Sequence, residues 1–180
     1  MKLPARLLTL TAIGAVIFSI LGSVSASAQA TLTDDQLQKI SANCLTIKST
    51  LNQLKATDAL LRVNRGQMYE AMVSKLMERF NGRLTNNDLD ARATTVVASS
   101  YRTALQKFRD DYSTYERLLV AAIAVDCSTK PAEFHAAVEL ARDARFTVHD
   151  DVNSLHRYID DYRSAVSDFM LNYQRVTGSS

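Results

Sequence analysis

Apolar residues in the last third of the chain recur in alternating steps of four and three. Phe134, Val138, Ala141, Arg145, Val148, Val152, Leu155, Ile159, Tyr162, Val166, Phe169, Tyr173 and Val176 follow one another without a slip. Such a heptad seam predicts one long helix that hides a single stripe against partners. Only Arg145 breaks its apolar character. Pro131 opens the segment, where its missing N–H costs nothing in a first helical turn. A similar seam runs through Cys44, Ile47, Leu51, Leu54, Asp58, Leu61, Arg65, Met68, Met72 and Leu76. Its helix is expected to begin at Thr33-Asp34-Asp35, a capping residue followed by acids. It is expected to stop at Asn81-Gly82. A middle helix, from near Asn87 to near Cys127, carries Val97, Tyr101, Leu105, Phe108, Tyr112, Tyr115, Leu119 and Ala122. Long helices on short connections must run antiparallel to their neighbours. The expected fold is all-α: an elongated, coiled-coil-like, up-down-up three-helix bundle over residues 31–176, with a disordered tail at 177–180.

Punctuation agrees with this pattern. Beyond residue 30 the only glycines are Gly66, Gly82 and Gly178, and the only proline is Pro131. A sandwich or barrel would need many more turn residues. Residues 1–30 read differently. Lys2 and Arg6 precede a mostly apolar run from Leu7 to Val24, and SASAQA then offers a small-residue cleavage box. This is the pattern of an export signal; an uncleaved membrane anchor is the alternative. No cysteine lies near either cleavage box, which argues against a lipoprotein. Of 21 basic residues against 19 acidic, Lys2 and Arg6 belong to this leader, leaving nineteen of each. A neutral remainder of about 150 residues is one domain's worth. It gives no support for binding nucleic acid or an anionic membrane.

Two cysteines in an exported chain are expected to pair. The midpoint between Cys44 and Cys127 falls in GRLTNN, where punctuation independently places the first turn. A Cys44–Cys127 bridge would therefore join the first two helices at one height. The same geometry, carried through a second turn near Ser128, brings Asp58 and Arg145 to a common level. Arg62, Arg65 and Asp110 fall close by. We read these five residues as a buried polar layer that fixes helix register, because a slipped seam would leave a charge without its partner. Gly66, in mid-helix, is expected to permit a close approach or a slight kink.

Chemistry is scarce. No catalytic residue is assigned, and no cofactor or metal is implied. His149 and His156 lie two turns apart, too far to share one ion. The pairs Asp110-Asp111, Asp150-Asp151 and Asp160-Asp161 are interleaved with arginine and read as a solvated charged face. Tyr69, Tyr158 and Tyr173 with Phe80 read as exposed aromatics covering the bundle, or offering a contact surface.

The run Cys44, Ile47, Leu51, Leu54, then ALLRVNRGQ, Tyr69-Glu70 and Asp126-Cys127, resembles a group of uncharacterised small exported helical proteins of ultra-small candidate-phylum bacteria. The resemblance implies an exported helical protein and no activity. The expected function is a non-enzymatic extracytoplasmic structural or protein-interaction module. It would be secreted or held at the cell surface, touching membrane only through an uncleaved leader, with an unknown protein partner or a second copy as its contact. The alternative is a helical bundle that binds a small molecule or anion through Arg62 and Arg65. That reading calls for an enclosed cavity of several hundred Å³ beside them, which tight packing would exclude. A secreted all-helical enzyme of the chorismate-mutase kind shares only architecture and stray arginines with this chain.

Overall fold

The computed structural model describes residues 32–178, and the leader read at residues 1–30 lies outside that range. The described residues are helical almost throughout, with no strand among them. Helix α1 is Asp34–Ala42, α2 is Cys44–Ala71, and a π-helical turn, Met72–Met77, leads directly into α3, Glu78–Asn86. Helix α4 is Arg92–Ala124 and α5 is Pro131–Thr177. No described helix is long and apolar enough to cross a membrane.

The helix starts follow the capping logic. The Thr33 hydroxyl accepts from the Gln36 amide, while the Gln36 side chain takes the Thr33 amide, a reciprocal cap. Pro131 occupies the first turn of α5, and Gly178 ends that helix in the left-handed conformation, with φ 64°. The first expected helix is interrupted at Asn43, whose backbone leaves helical geometry at ψ 14°. Its side-chain amide donates to the Lys39 carbonyl at 2.8 Å, the local competition that makes asparagine a weak helix interior.

At the other end, Asn81-Gly82 does not stop the chain. Asn81 is buried and its side-chain oxygen accepts from the Tyr162 hydroxyl at 2.8 Å, so it serves the core instead. Leu84, 5% exposed, draws another turn inward. Asn87 then closes α3, donating from its side chain to the Arg83 carbonyl at 2.8 Å. The turn therefore falls at Asn87–Ala91, and α4 begins at Arg92 rather than near Asn87. Thr177 belongs to α5, not to a tail.

Of the expected seam of α4, Tyr101, Leu105, Phe108, Tyr112, Tyr115, Leu119 and Ala122 are all buried, joined by Thr94 and Ala98, while Val97 is half-buried. The expected seam of the first helix is followed from Cys44 to Asp58 and then lost. Met68 and Leu76 are about half exposed, whereas Tyr69, Val73 and Met77 are almost completely buried. Tyr69, Val73, Met77 and Asn81 succeed one another by fours. At 3.6 residues per turn, three steps of four would carry a stripe well around an α-helix. The π turn, with its wider i→i+5 closure, absorbs the extra residue and holds all four on one side. Two buried tyrosines bracket it: Tyr101 donates to the Tyr69 carbonyl at 3.0 Å, and Tyr162 to the Met77 carbonyl at 3.1 Å.

Contacts between the first and last helical segments keep a nearly constant sequence separation up to the π turn. Ser41 with Ser128, Asp58 with Arg145, and Tyr69 with His156 are each 87 residues apart. At the end of the π turn the Met77–Tyr162 contact is 85 apart, and the same tyrosine reaches Asn81, 81 apart. The core follows the same order in three clusters. Cys44, Cys127 and Phe134 lie at one end; Tyr112, Tyr115, Leu119 and Ala141 form the next. A longer cluster around Tyr69, Val73, Tyr101 and Leu155 completes it. Helices α4 and α5 make by far the closest backbone approach, while α2 approaches α4 less and α5 least. Small buried residues such as Ala98, Ala122 and Ala141 permit close packing. Toward α2, the hydroxyls of Tyr101 and Tyr115 span the gap.

Candidate functional site

Cys44 and Cys127, 83 positions apart in sequence, are joined by a disulfide, with Cα atoms 5.4 Å apart. Phe134 packs against the bridge, and Ser41 donates to the Ser128 carbonyl at 2.7 Å beside it. Asp126 builds the adjoining turn. Its carboxylate accepts from the Ser128 amide and hydroxyl and from the Thr129 hydroxyl. Those donors hold its pKa down at about 2.

One polar centre lies further along. Asp58, 7% exposed, accepts from the Tyr115 hydroxyl at 2.6 Å and from the Arg145 guanidinium at 2.8 and 3.2 Å. Burial raises its pKa, but the donors Arg145 and Tyr115 outweigh that and hold it below 3.8. Burial and the same bond to Asp58 push the Tyr115 phenol well above its ordinary value. The layer expected to be buried is therefore only partly so. The Arg145 side chain is half exposed, and Arg62, Arg65 and Asp110 are exposed. Asp110 lies between buried Phe108 and Tyr112 in sequence, which turns it outward, where it accepts from Gln106 at 2.9 Å. The guanidinium of Arg62 lies 4.9 Å from the centre of the Tyr112 ring and 3.6 Å from the Glu116 carboxylate. Gly66 has open space around it, so the expected close approach does not occur.

Beside Asp58, a partly open cavity of about 160 Å³ lies among α2, α4 and α5. Its polar wall is Asp58, Arg62, Arg65, Tyr112, Tyr115 and Arg145, with His149 at its edge. Leu61, Phe108, Val148 and Val152 make the apolar wall. The cavity exists because α2 stands away from α5, a gap that heptad spacing alone does not reveal. It is smaller than the several hundred Å³ the alternative calls for, yet the packing is not tight. A larger groove, about 880 Å³, follows α4 past Glu70 and Glu78. Ion pairs from Arg109 to Glu70 and from Arg102 to Glu78 cross it.

Two expectations about surface residues fail. Tyr69 is fully buried rather than exposed, its ring 5.7 Å from Phe108 and its hydroxyl 3.2 Å from His156. Phe80 and Tyr158 are half-buried, and only Tyr173 is exposed. Asp151 is 5% exposed rather than part of a solvated face. Lys107 donates to it at 2.7 Å and also to Asp111. These two carboxylates push the Lys107 pKa up to about 12. The second oxygen of Asp151, Oδ2, is buried without a hydrogen-bond partner. Asp151 lies four residues before buried Leu155, a spacing that could have signalled its position. The chain matches no known family model, no curated protein and no solved structure.

Proposed function

We propose that this chain is an exported, non-enzymatic coiled-coil module: an up-down-up three-helix bundle that binds another protein or a second copy of itself. The fixed separation of 87 residues between α1–α2 and the α5 side supports one parallel pair within that bundle. The pairs Cys44–Cys127, Asp58–Tyr115 and Tyr69–Tyr101, in which one number rises as the other falls, support α4 running opposite to both. The disulfide suits an oxidising compartment, in keeping with export through the leader.

One observation carries the interaction reading. Helix α5 continues its apolar seam past the core, and every residue from Met170 to Gly178 is exposed, including Leu171, Tyr173 and Val176. A seam that outruns its partners invites another helix. Light scattering and crosslinking in the native envelope test this. Tyr173→Ser with Val176→Ser should abolish association and leave the melting temperature unchanged. Wild-type protein recovered solely as monomer in both measurements would overturn the proposal.

A second reading is favoured by the cavity beside Asp58: binding of a small anion through Arg62 and Arg65. Its lining sets three guanidinium groups against one carboxylate. Such an excess of positive charge around an apolar floor suits an anionic guest.

A further inference from the structure

Resting on that second reading, we propose that the cavity beside Asp58 takes a small monocarboxylate whose body is about one six-membered ring. Volume sets the body. At about 160 Å³, the cavity is well below the roughly 300–1,000 Å³ of sites for drug-sized ligands. It is close to the ~150 Å³ apolar cavity that accommodates benzene. The ring would lie against Leu61, Phe108, Val148 and Val152.

Charge sets the head group. Arg145 and Tyr115 are already committed to Asp58. Arg65 has no carboxylate partner among the described residues; its polar contact is with the Tyr69 hydroxyl. Arg62 holds Glu116 only at 3.6 Å. Arg65, assisted by Arg62, is thus the cation with unused capacity, and a guanidinium matches the two oxygens of a carboxylate. Asp58 in the same wall opposes a second negative charge on the guest, which favours a carboxylate over phosphate. A bare inorganic anion would leave the apolar wall unfilled.

Calorimetric titration of the oxidised protein with benzoate tests the proposal, with acetate, benzyl alcohol and inorganic phosphate as comparators. Benzoate should bind at least about tenfold more tightly than any of them. Arg65→Gln, an exposed change that spares the fold, should weaken benzoate roughly tenfold, the scale of one lost charge-assisted bond. Val152→Phe, checked for intact helicity, should remove benzoate binding by filling the space. Acetate and phosphate binding as well as benzoate, each lost in Arg65→Gln, would overturn the ring-bearing guest and leave the anion site standing. Absence of any Arg65-dependent anion binding would overturn both.

Discussion

Asp58 and Asp151 are both buried, yet their environments drive them in opposite directions. Burial disfavours the charged form of each. At Asp58, Arg145 and Tyr115 more than compensate, and the pKa falls below 3.8. At Asp151, burial prevails over Lys107 and the pKa rises above 3.8. Asp111, next to it, is lowered, chiefly by its bond from Lys107. Of the two carboxylates that accept from Lys107, Asp151 is therefore the one that takes up a proton first as pH falls. The linkage signs follow. Asp58 contributes stability that is full above its unfolded pKa and is lost as pH falls through its depressed folded value. Asp151 contributes stability that is full below 3.8 and is lost as pH rises through its elevated folded value. Asp151→Asn imitates the protonated side chain. Thermal melts of the variant should accordingly show a smaller loss of stability between about pH 4 and about pH 7 than wild type. Parallel curves across that interval would rule out a raised Asp151 pKa.

Among the elements, the π turn is the one the pattern of apolar residues misled us about. The spacing of α2 is compatible with a heptad through Arg65, and Met68, Met72 and Leu76 continue it on paper. The folded chain instead steps by fours from Tyr69, burying Tyr69 and Val73 and leaving Met68 and Leu76 about half exposed. Stepping by fours is possible only if one residue is taken up locally. Lys75, exposed within the π turn, is that kind of surplus. Deleting it would bring Tyr69, Val73, Met77, Asn81 and Leu84 into alternating steps of four and three, the regular α-helical seam. We expect the Lys75 deletion to fold with the same helicity and a melting temperature near that of wild type. Removing Ser99 from the interior of α4 should unfold the protein, since it turns every later seam residue away from the core. Equal tolerance of both deletions, read by circular dichroism, would contradict this account. Helices α4 and α5 were legible in the sequence because their seams never leave the heptad. Asp151 and Tyr69 were not, because a charge beside a seam and an aromatic one place off it read as surface until the partner helix is known.

At the scale of the whole molecule, the Cys44–Cys127 bridge closes a loop whose ends are 83 positions apart in sequence. Such a closure contributes about 3–5 kcal/mol by restricting the unfolded chain. Reduction, or the pair Cys44→Ser with Cys127→Ser, should lower the urea-derived stability by that amount with little change in native helicity. An unchanged urea midpoint after reduction would show that the bridge adds nothing. The pairing of the two cysteines was legible in the sequence, although their midpoint falls within α3 rather than in the turn at Asn87–Ala91, whereas the cavity was not legible. Heptads report which residues face inward, but not how far apart two helices stand when tyrosines and arginines fill the space between them.

The same loop constrains how the molecule can move. Sulfur fastens the first residue of α2 to Cys127, just past the end of α4, and the backbone turn at Asn87–Ala91 joins α3 to the start of α4. Between these two ties, α2 is held to α5 by the Asp58–Arg145 bond, so parting the two helices beside Asp58 requires that bond to break.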